Sequence, residues 1–259
     1  MMRRTLGLLI ALLTLAPPLH AEPTPVKIHV ISQDGKFIGD SMGGAEVILR
    51  DAESGRVIAK GITRGGTGDT ARIMESAGRS PLRASSDAAN FSATLDLARP
   101  TLIRLEARAP MGHPGSVQRV SAERWLIPGQ QLADGNGWTV EMPGLVVELV
   151  SVPERPRAGD PIMIDARITL MCGCPITPGG IWNADDYEVE ALVYRRGRLV
   201  QRARLPFTAS PGRFSKAIRF GDKGAHTLVI AARNRKSGNS GLFQTRLRVA
   251  EAVFGPTAR

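Results

Sequence analysis
Apolar and polar positions alternate in short runs along most of this chain, with a period of two rather than the 3.6 of a helix. Residues 27–32 (KIHVIS), 45–50 (AEVILR), 57–62 (VIAKGI), 101–107 (TLIRLEA) and 117–125 each read as strands, because successive strand side chains face opposite sides. Asp34-Gly35, Ser54-Gly55, Gly65-Gly66 and Pro114-Gly115 punctuate them as turns. Residues 69–77 have the pattern of a short helix capped by Asp69 or Thr70, and the polar stretch 78–90 reads as a loop. Asp134-Gly135-Asn136-Gly137 has the composition of a hairpin turn.

The second half repeats the pattern. Residues 145–150, 162–170, 187–194, 199–205 and 214–220 read as strands, and 224–232 enters a closing hairpin turned by Gly238-Asn239-Ser240-Gly241. Along 162–170, Ile162, Ile164, Ala166, Ile168 and Leu170 share one face, while Met163, Asp165, Arg167 and Thr169 share the other. The expected architecture is all-β: two β-sandwich domains in tandem, over 22–143 and 144–250, with a tail at 251–259.

The first 21 residues stand apart. Arg3-Arg4, an apolar run at 6–16 and Pro17-Pro18 before Leu19-His20-Ala21 form the tripartite pattern of a cleaved secretory signal. The very apolar centre favours general secretion over a twin-arginine route. The run is too short to span a bilayer and no later stretch qualifies, so the expected location is the periplasm or outside the cell.

Charge changes the picture little. Of the formal +10, two units belong to Arg3 and Arg4, which leaves +8 on the mature chain. The densest cationic group, Arg195, Arg196, Arg198, Arg202 and Arg204, brackets Gly197 and reads as a solvated hairpin edge. Exposed aromatics and a reading helix are missing from the pattern, so nucleic acid is not the expected partner. Another envelope protein or surface is.

Residues 43–49 (GGAEVIL), 51–57 (DAESGRV) and the Gly-rich turn after them resemble the transthyretin-like or carboxypeptidase-regulatory-like β-sandwich. That resemblance implies a scaffold for binding and domain pairing rather than one chemistry. Residues 145–241, above all the 224–241 segment, resemble bacterial immunoglobulin-like domains. His226 stands where those domains commonly carry the tyrosine of a tyrosine corner.

Several motifs that invite chemistry carry a structural reading as well. Gly39-Asp40-Ser41-Met42-Gly43 satisfies the G-x-S-x-G pattern, but a nucleophile elbow needs a helix after the serine and here a strand follows. Gly65-Gly66-Thr67-Gly68-Asp69-Thr70 lacks the lysine of a phosphate loop. His29 and His226 lie in strands and read as structural, whereas His113, between Gly112 and Pro114, is the histidine freest to act.

The concentrated signal is Met171-Cys172-Gly173-Cys174-Pro175, which holds both cysteines of the chain. In an extended strand, residues i and i+2 lie about 6.6 Å apart on one face, and a bend at Gly173 brings them closer. Three readings stay open. The first is a loop-pinning Cys172–Cys174 disulfide. The second is a copper site on Cys172, Cys174 and Met171, since two thiolates and a thioether suit Cu(I). The third is a thiol–disulfide exchange centre. In an immunoglobulin-like sandwich this loop, with Trp182, Asp185 and Asp186, emerges beside the last hairpin loop, with Arg233 and Arg235. Those five residues are the expected binding loops, and their cations would favour thiolate over thiol. The protein is expected to act as a non-catalytic binding or accessory module; the alternatives are a thiol–disulfide exchange protein using the same pair and a structural adhesion or assembly module whose disulfide pins the loop.

Overall fold
The computed structural model describes residues 20–153 and 155–252; residues 1–19 of the expected leader and 253–259 of the expected tail lie outside the described residues. Seven strands build the first half: β1 (Glu22–Ser32), β2 (Glu46–Asp51), β3 (Val57–Ile62), β4 (Phe91–Leu97), β5 (Thr101–Ala109), β6 (Gln118–Leu126) and β7 (Trp138–Met142). They form a three-stranded sheet ordered β4-β1-β7 and a four-stranded sheet ordered β3-β2-β5-β6. Between the sheets lie Val26, Ile28, Val47, Leu49, Leu95, Ile103, Leu105 and their neighbours, all buried. Alternation explains the arrangement, since each strand offers one apolar face and two such faces close a core.

The second half repeats this with β8 (Leu145–Ser151), β9 (Pro161–Leu170), β10 (Tyr187–Arg195), β11 (Arg198–Arg204), β12 (Arg213–Arg219), β13 (Gly224–Asn234) and β14 (Ser240–Val249). Its sheets are ordered β12-β9-β8 and β11-β10-β13-β14. The face of β9 read from the sequence is the buried one, with Ile164, Ala166, Ile168 and Leu170 fully enclosed and Met163 exposed. Pro143-Gly144 separates β7 from β8. The protein is therefore all-β, as expected, with two sandwiches in tandem.

Two local expectations are corrected, and one strand is added. Asp134-Gly135-Asn136-Gly137 does not turn a hairpin: β6 and β7 belong to different sheets, and β7 runs parallel to β1, with Ile28 opposite Trp138 and Val30 opposite Val140. β6 already pairs with β5 along its full length, so the buried Trp138 and Met142 find their core by crossing to the other sheet. Gly137 ends this crossing at φ +54°, where a Cβ would sit 2.3 Å from the Lys27 carbonyl oxygen. The helix α1 spans only Thr70–Met74, capped by the Asp69 side chain, which accepts from the Arg72 backbone N–H at 2.6 Å. The apolar face of β4 (Phe91, Ala93, Leu95, Leu97) was not anticipated; it pairs antiparallel with β1.

His29 lies inside the first half, its Nδ1 2.8 Å from the Ala89 carbonyl oxygen and its ring 5.0 Å from Phe37. Its Nε2 is buried without a hydrogen-bond partner among the described residues. Burial holds the imidazole below its ordinary value of 6.5, more than the Ala89 contact raises it, and Lys27 lowers it further. Below pH 6.5 the unfolded chain therefore binds a proton that the folded chain refuses, so this residue's contribution makes stability rise with pH and fall on acidification. The urea midpoint is expected to drop between about pH 7.5 and about pH 5.5, with a shallower drop in His29→Gln. Equal slopes for the two proteins would contradict this assignment.

Candidate functional site: the joint between the sandwiches
The Cys-Gly-Cys motif begins where β9 ends. Leu170 and Cys172 lie in the second core, whereas Met171 between them turns into the first core, alongside Met42 and Met142. Its terminal methyl fills the space beside Gly144, where a Cβ would lie 2.3 Å away. The chain then reverses, and the Gly173 N–H donates to the Leu170 carbonyl at 2.9 Å. Gly173 adopts φ +77°, with the Met42 thioether so close that a Cβ would sit 2.7 Å from its sulfur. Both needs, a left-handed backbone and a close neighbour, select glycine.

The turn brings the Cys172 and Cys174 Cα atoms to 5.4 Å, within the usual disulfide range, and their sulfurs are bonded to one another. The cysteines are 1% and 5% exposed. They sit in the second core, and as a disulfide they do not titrate, so the expected favouring of thiolate over thiol does not apply.

A turn from the first sandwich caps this end of the second. Gln33-Asp34-Gly35 follows β1 and is closed by the Gly35 N–H donating to Ser32 O at 3.0 Å. A Cβ at Gly35 would meet Cys172 Sγ at 2.9 Å and Leu170 Cδ2 at 2.8 Å, so only a bare backbone fits against the disulfide. The Trp182 indole N–H donates to the Asp34 carbonyl at 2.6 Å, and the Ser237 hydroxyl donates to the Asp34 carboxylate. Asn239 donates from Nδ2 to Gln33 O at 3.4 Å and accepts at Oδ1 from the Gly144 N–H at 2.7 Å. Tyr187 borders the same region; burial first, then the charges of Asp34 and Asp186, push its hydroxyl to about 12.

The two expected binding loops do emerge together, and they grip one another as well as that turn. Arg235 donates to the Asp185 carbonyl at 2.5 Å, and Lys236 Nζ lies 2.9 Å from the Asp186 carboxylate. Arg233 instead pairs with Glu188 on β10, with Nε 2.8 Å from the carboxylate, and this hydrogen bond holds the Glu188 carboxyl below its ordinary range. Trp182 is half-buried against the second core.

The histidines also have structural partners. His113 is not a free loop residue: its Nδ1 lies 2.9 Å from Glu148 Oε1 on β8, and Ser116 accepts from the Val147 N–H at 3.2 Å, a second set of contacts across the joint. His226 is buried, with Nδ1 3.2 Å from Gly224 O and its ring edge-on to Phe220. Ser41 lies exposed on a short 3-10 turn, Asp40–Met42, before β2. Among the described residues no group of three or more His, Cys, Asp or Glu is arranged to hold a metal ion. No helix among them is long and apolar enough to cross a membrane. Beside the joint opens a cleft of about 620 Å³, bordered by Gln33, Gln118, Glu188, Arg202, Arg233 and Leu242.

No protein-family model and no curated protein matches the chain. Among solved structures, it is similar to the fibronectin(III)-like modules of Clostridium thermocellum CbhA, at 10% identity and a TM-score of 0.31 over 94% of this chain and 96% of that one. It is also similar to a membrane anchored protein of Corynebacterium diphtheriae, at 14% identity and a TM-score of 0.31 over 66% of this chain. Only 36% of that protein's length is spanned. The fimbrial anchor protein Mfa2 of Porphyromonas gingivalis matches at 10% identity and a TM-score of 0.20, over 86% of this chain and 82% of that one.

The indole–carbonyl bond is directly testable. Trp182→Phe keeps a ring in the gap but leaves the Asp34 carbonyl without its donor. It should cost about 1–3 kcal/mol in urea unfolding and speed protease cleavage near Pro143-Gly144. An unchanged urea midpoint would show that this bond does not hold the joint.

Proposed function
We propose that the chain is an exported, non-catalytic accessory protein, a two-sandwich binding module whose Cys172–Cys174 pair is a structural disulfide at the joint. The observation that carries this reading is the position of the pair: both cysteines are buried and bonded to each other, and Gly35 of the first sandwich lies against Cys172 Sγ. An oxidised pair suits an oxidising compartment, in line with the leader pattern of residues 1–21. Burial weighs against exchange chemistry, which needs an attacking thiolate to reach a sulfur. The first sandwich is read as a transthyretin-like scaffold on residues 43–57, and the second, from about residue 144, as an immunoglobulin-like domain.

A ring closed between residues i and i+2 restricts the unfolded chain little, so its gain should fall below the roughly 3 kcal/mol of a fifteen-residue loop. Its use is local: it holds the turn on which Gly35 and Met42 rest. The 5.4 Å Cα separation also supports a finer, soft-metal reading. In the chain whose disulfide has not yet formed, the thiolates of Cys172 and Cys174 would hold Cu(I) at low coordination number. Met171 lies in the first core, so such a site would rest on the two cysteines.

Alkylation of acid-quenched cells tests the main reading. The protein should be recovered from the envelope fraction with both cysteines blocked to alkylation, and both should become reactive after denaturation in dithiothreitol. Recovery in reduced form would overturn the structural-disulfide reading. Titration of the reduced protein with Cu(I) against a competing chelator tests the finer one, which requires one tightly held ion in the wild type and none in Cys172→Ser.

A further inference from the structure
The outer face of the β11-β10-β13-β14 sheet gathers arginines from strands far apart in sequence. Cross-strand register places Glu188, Arg233 and Ser240 in one row, and Arg204, Glu190, Ala231 and Leu242 in the next. Arg202, Leu192, Val229 and Gln244 form a third row, and Leu199, Tyr194, Thr227 and Arg246 a fourth. Arg248, opposite Ala225, completes the face. The alternate residues Val189, Ala191, Leu228, Ile230 and Leu247 point into the core, so these side chains point outward.

Five arginines thus share the face with two glutamates. Glu188 pairs with Arg233, and Glu190 lies 3.8 Å from Arg202. Arg204, Arg246 and Arg248 are exposed and in no ion pair among the described residues. Leu199 and Leu242, 45% and 57% exposed, are interleaved with them. Arginine among exposed aliphatic side chains is the composition of a protein interface, where guanidinium groups meet carboxylates in bidentate pairs. Uniform polyanions such as a phosphate backbone or a lipid headgroup layer would gain nothing from the leucines and would be repelled by the glutamates.

We propose that this sheet face is the docking surface for an acidic protein partner, whose carboxylates meet Arg204, Arg246 and Arg248 and whose apolar side chains cover Leu199 and Leu242. The proposal rests on the accessory-protein reading and names the surface by which it acts. Removing three exposed cations from the contact should weaken it by roughly tenfold.

The test uses the full chain and a fluorescein-labelled peptide of alternating glutamate and leucine, with binding read by anisotropy at low salt. Arg204→Ser/Arg246→Ser/Arg248→Ser should bind about tenfold more weakly than wild type. Arg56→Ser/Arg119→Ser/Arg124→Ser, the same charge change on the first sandwich, should lose less than about twofold. Matching urea midpoints establish that both variants are folded; should the first triple not fold, Arg246→Ser alone takes its place, with a proportionate loss. Equal losses in the two triples would overturn the proposal, as would a wild type that does not bind the peptide. So would a face variant that keeps peptide binding but no longer sediments with phosphatidylglycerol vesicles, since the surface would then serve lipid. Binding is read on purified protein, so its outcome is independent of the thiol-trapping result that tests export and oxidation.

Discussion

The seating of one turn, Gln33-Asp34-Gly35, in the end of the second sandwich governs the arrangement of the whole molecule. A backbone carbonyl buried at such a contact must find a donor or forfeit its solvation, and the indole of Trp182 supplies it at 2.6 Å. The fit then constrains everything around it. Gly35 is bare because Cys172 and Leu170 leave no room for a Cβ, and Gly173 is bare because Met42 presses on it from the first core. Ser237 and Asn239 close the other side from the β13–β14 loop. With Pro143-Gly144 as the covalent link, and His113–Glu148 and Ser116–Val147 as further contacts, the sandwiches meet over several independent interactions.

This seating changes the meaning of the loop end of the second sandwich. Here the protein's own first half occupies it. The conspicuous cysteines become part of the joint, and the charged residues Asp185, Asp186, Arg235 and Lys236 chiefly tie the two loops to each other. Surface left for partners lies on the flank, along the outward rows of β10, β11, β13 and β14 and in the adjoining cleft. A sheet face of mixed arginine and aliphatic character is suited to that use, because its backbone is already hydrogen-bonded and needs no ordering on contact.

Strand alternation, turn dipeptides and the leader pattern are local properties, and for that reason most strands and the all-β class were legible in the residues alone. The buried face of β9 follows residue by residue from the alternation, since period-two burial is a rule about neighbours. β4 escaped because its seven residues follow a long polar stretch, and its apolar face registers only once β1 is seen to need a partner. The parallel placement of β7 escaped for a related reason: a Gly-rich turn is compatible with a hairpin or a crossover, and the choice belongs to the sheet that still has a free edge. The proximity of the two cysteines was readable from their spacing, whereas their burial was not.

The sequence by itself determined most of the strand segments, the buried face of β9, and that Cys172 and Cys174 come within bonding reach, because each depends on residues a few positions apart. Only the tertiary structure decided what those segments meet. Trp182 and Asp34 are 148 residues apart, and Ser237 and Asp34 are 203 apart. No local pattern encodes such pairings; they follow from how the two cores meet at the turn after β1. The arginine face has the same origin, since Arg204, Arg233 and Arg246 become neighbours only through the register of four strands.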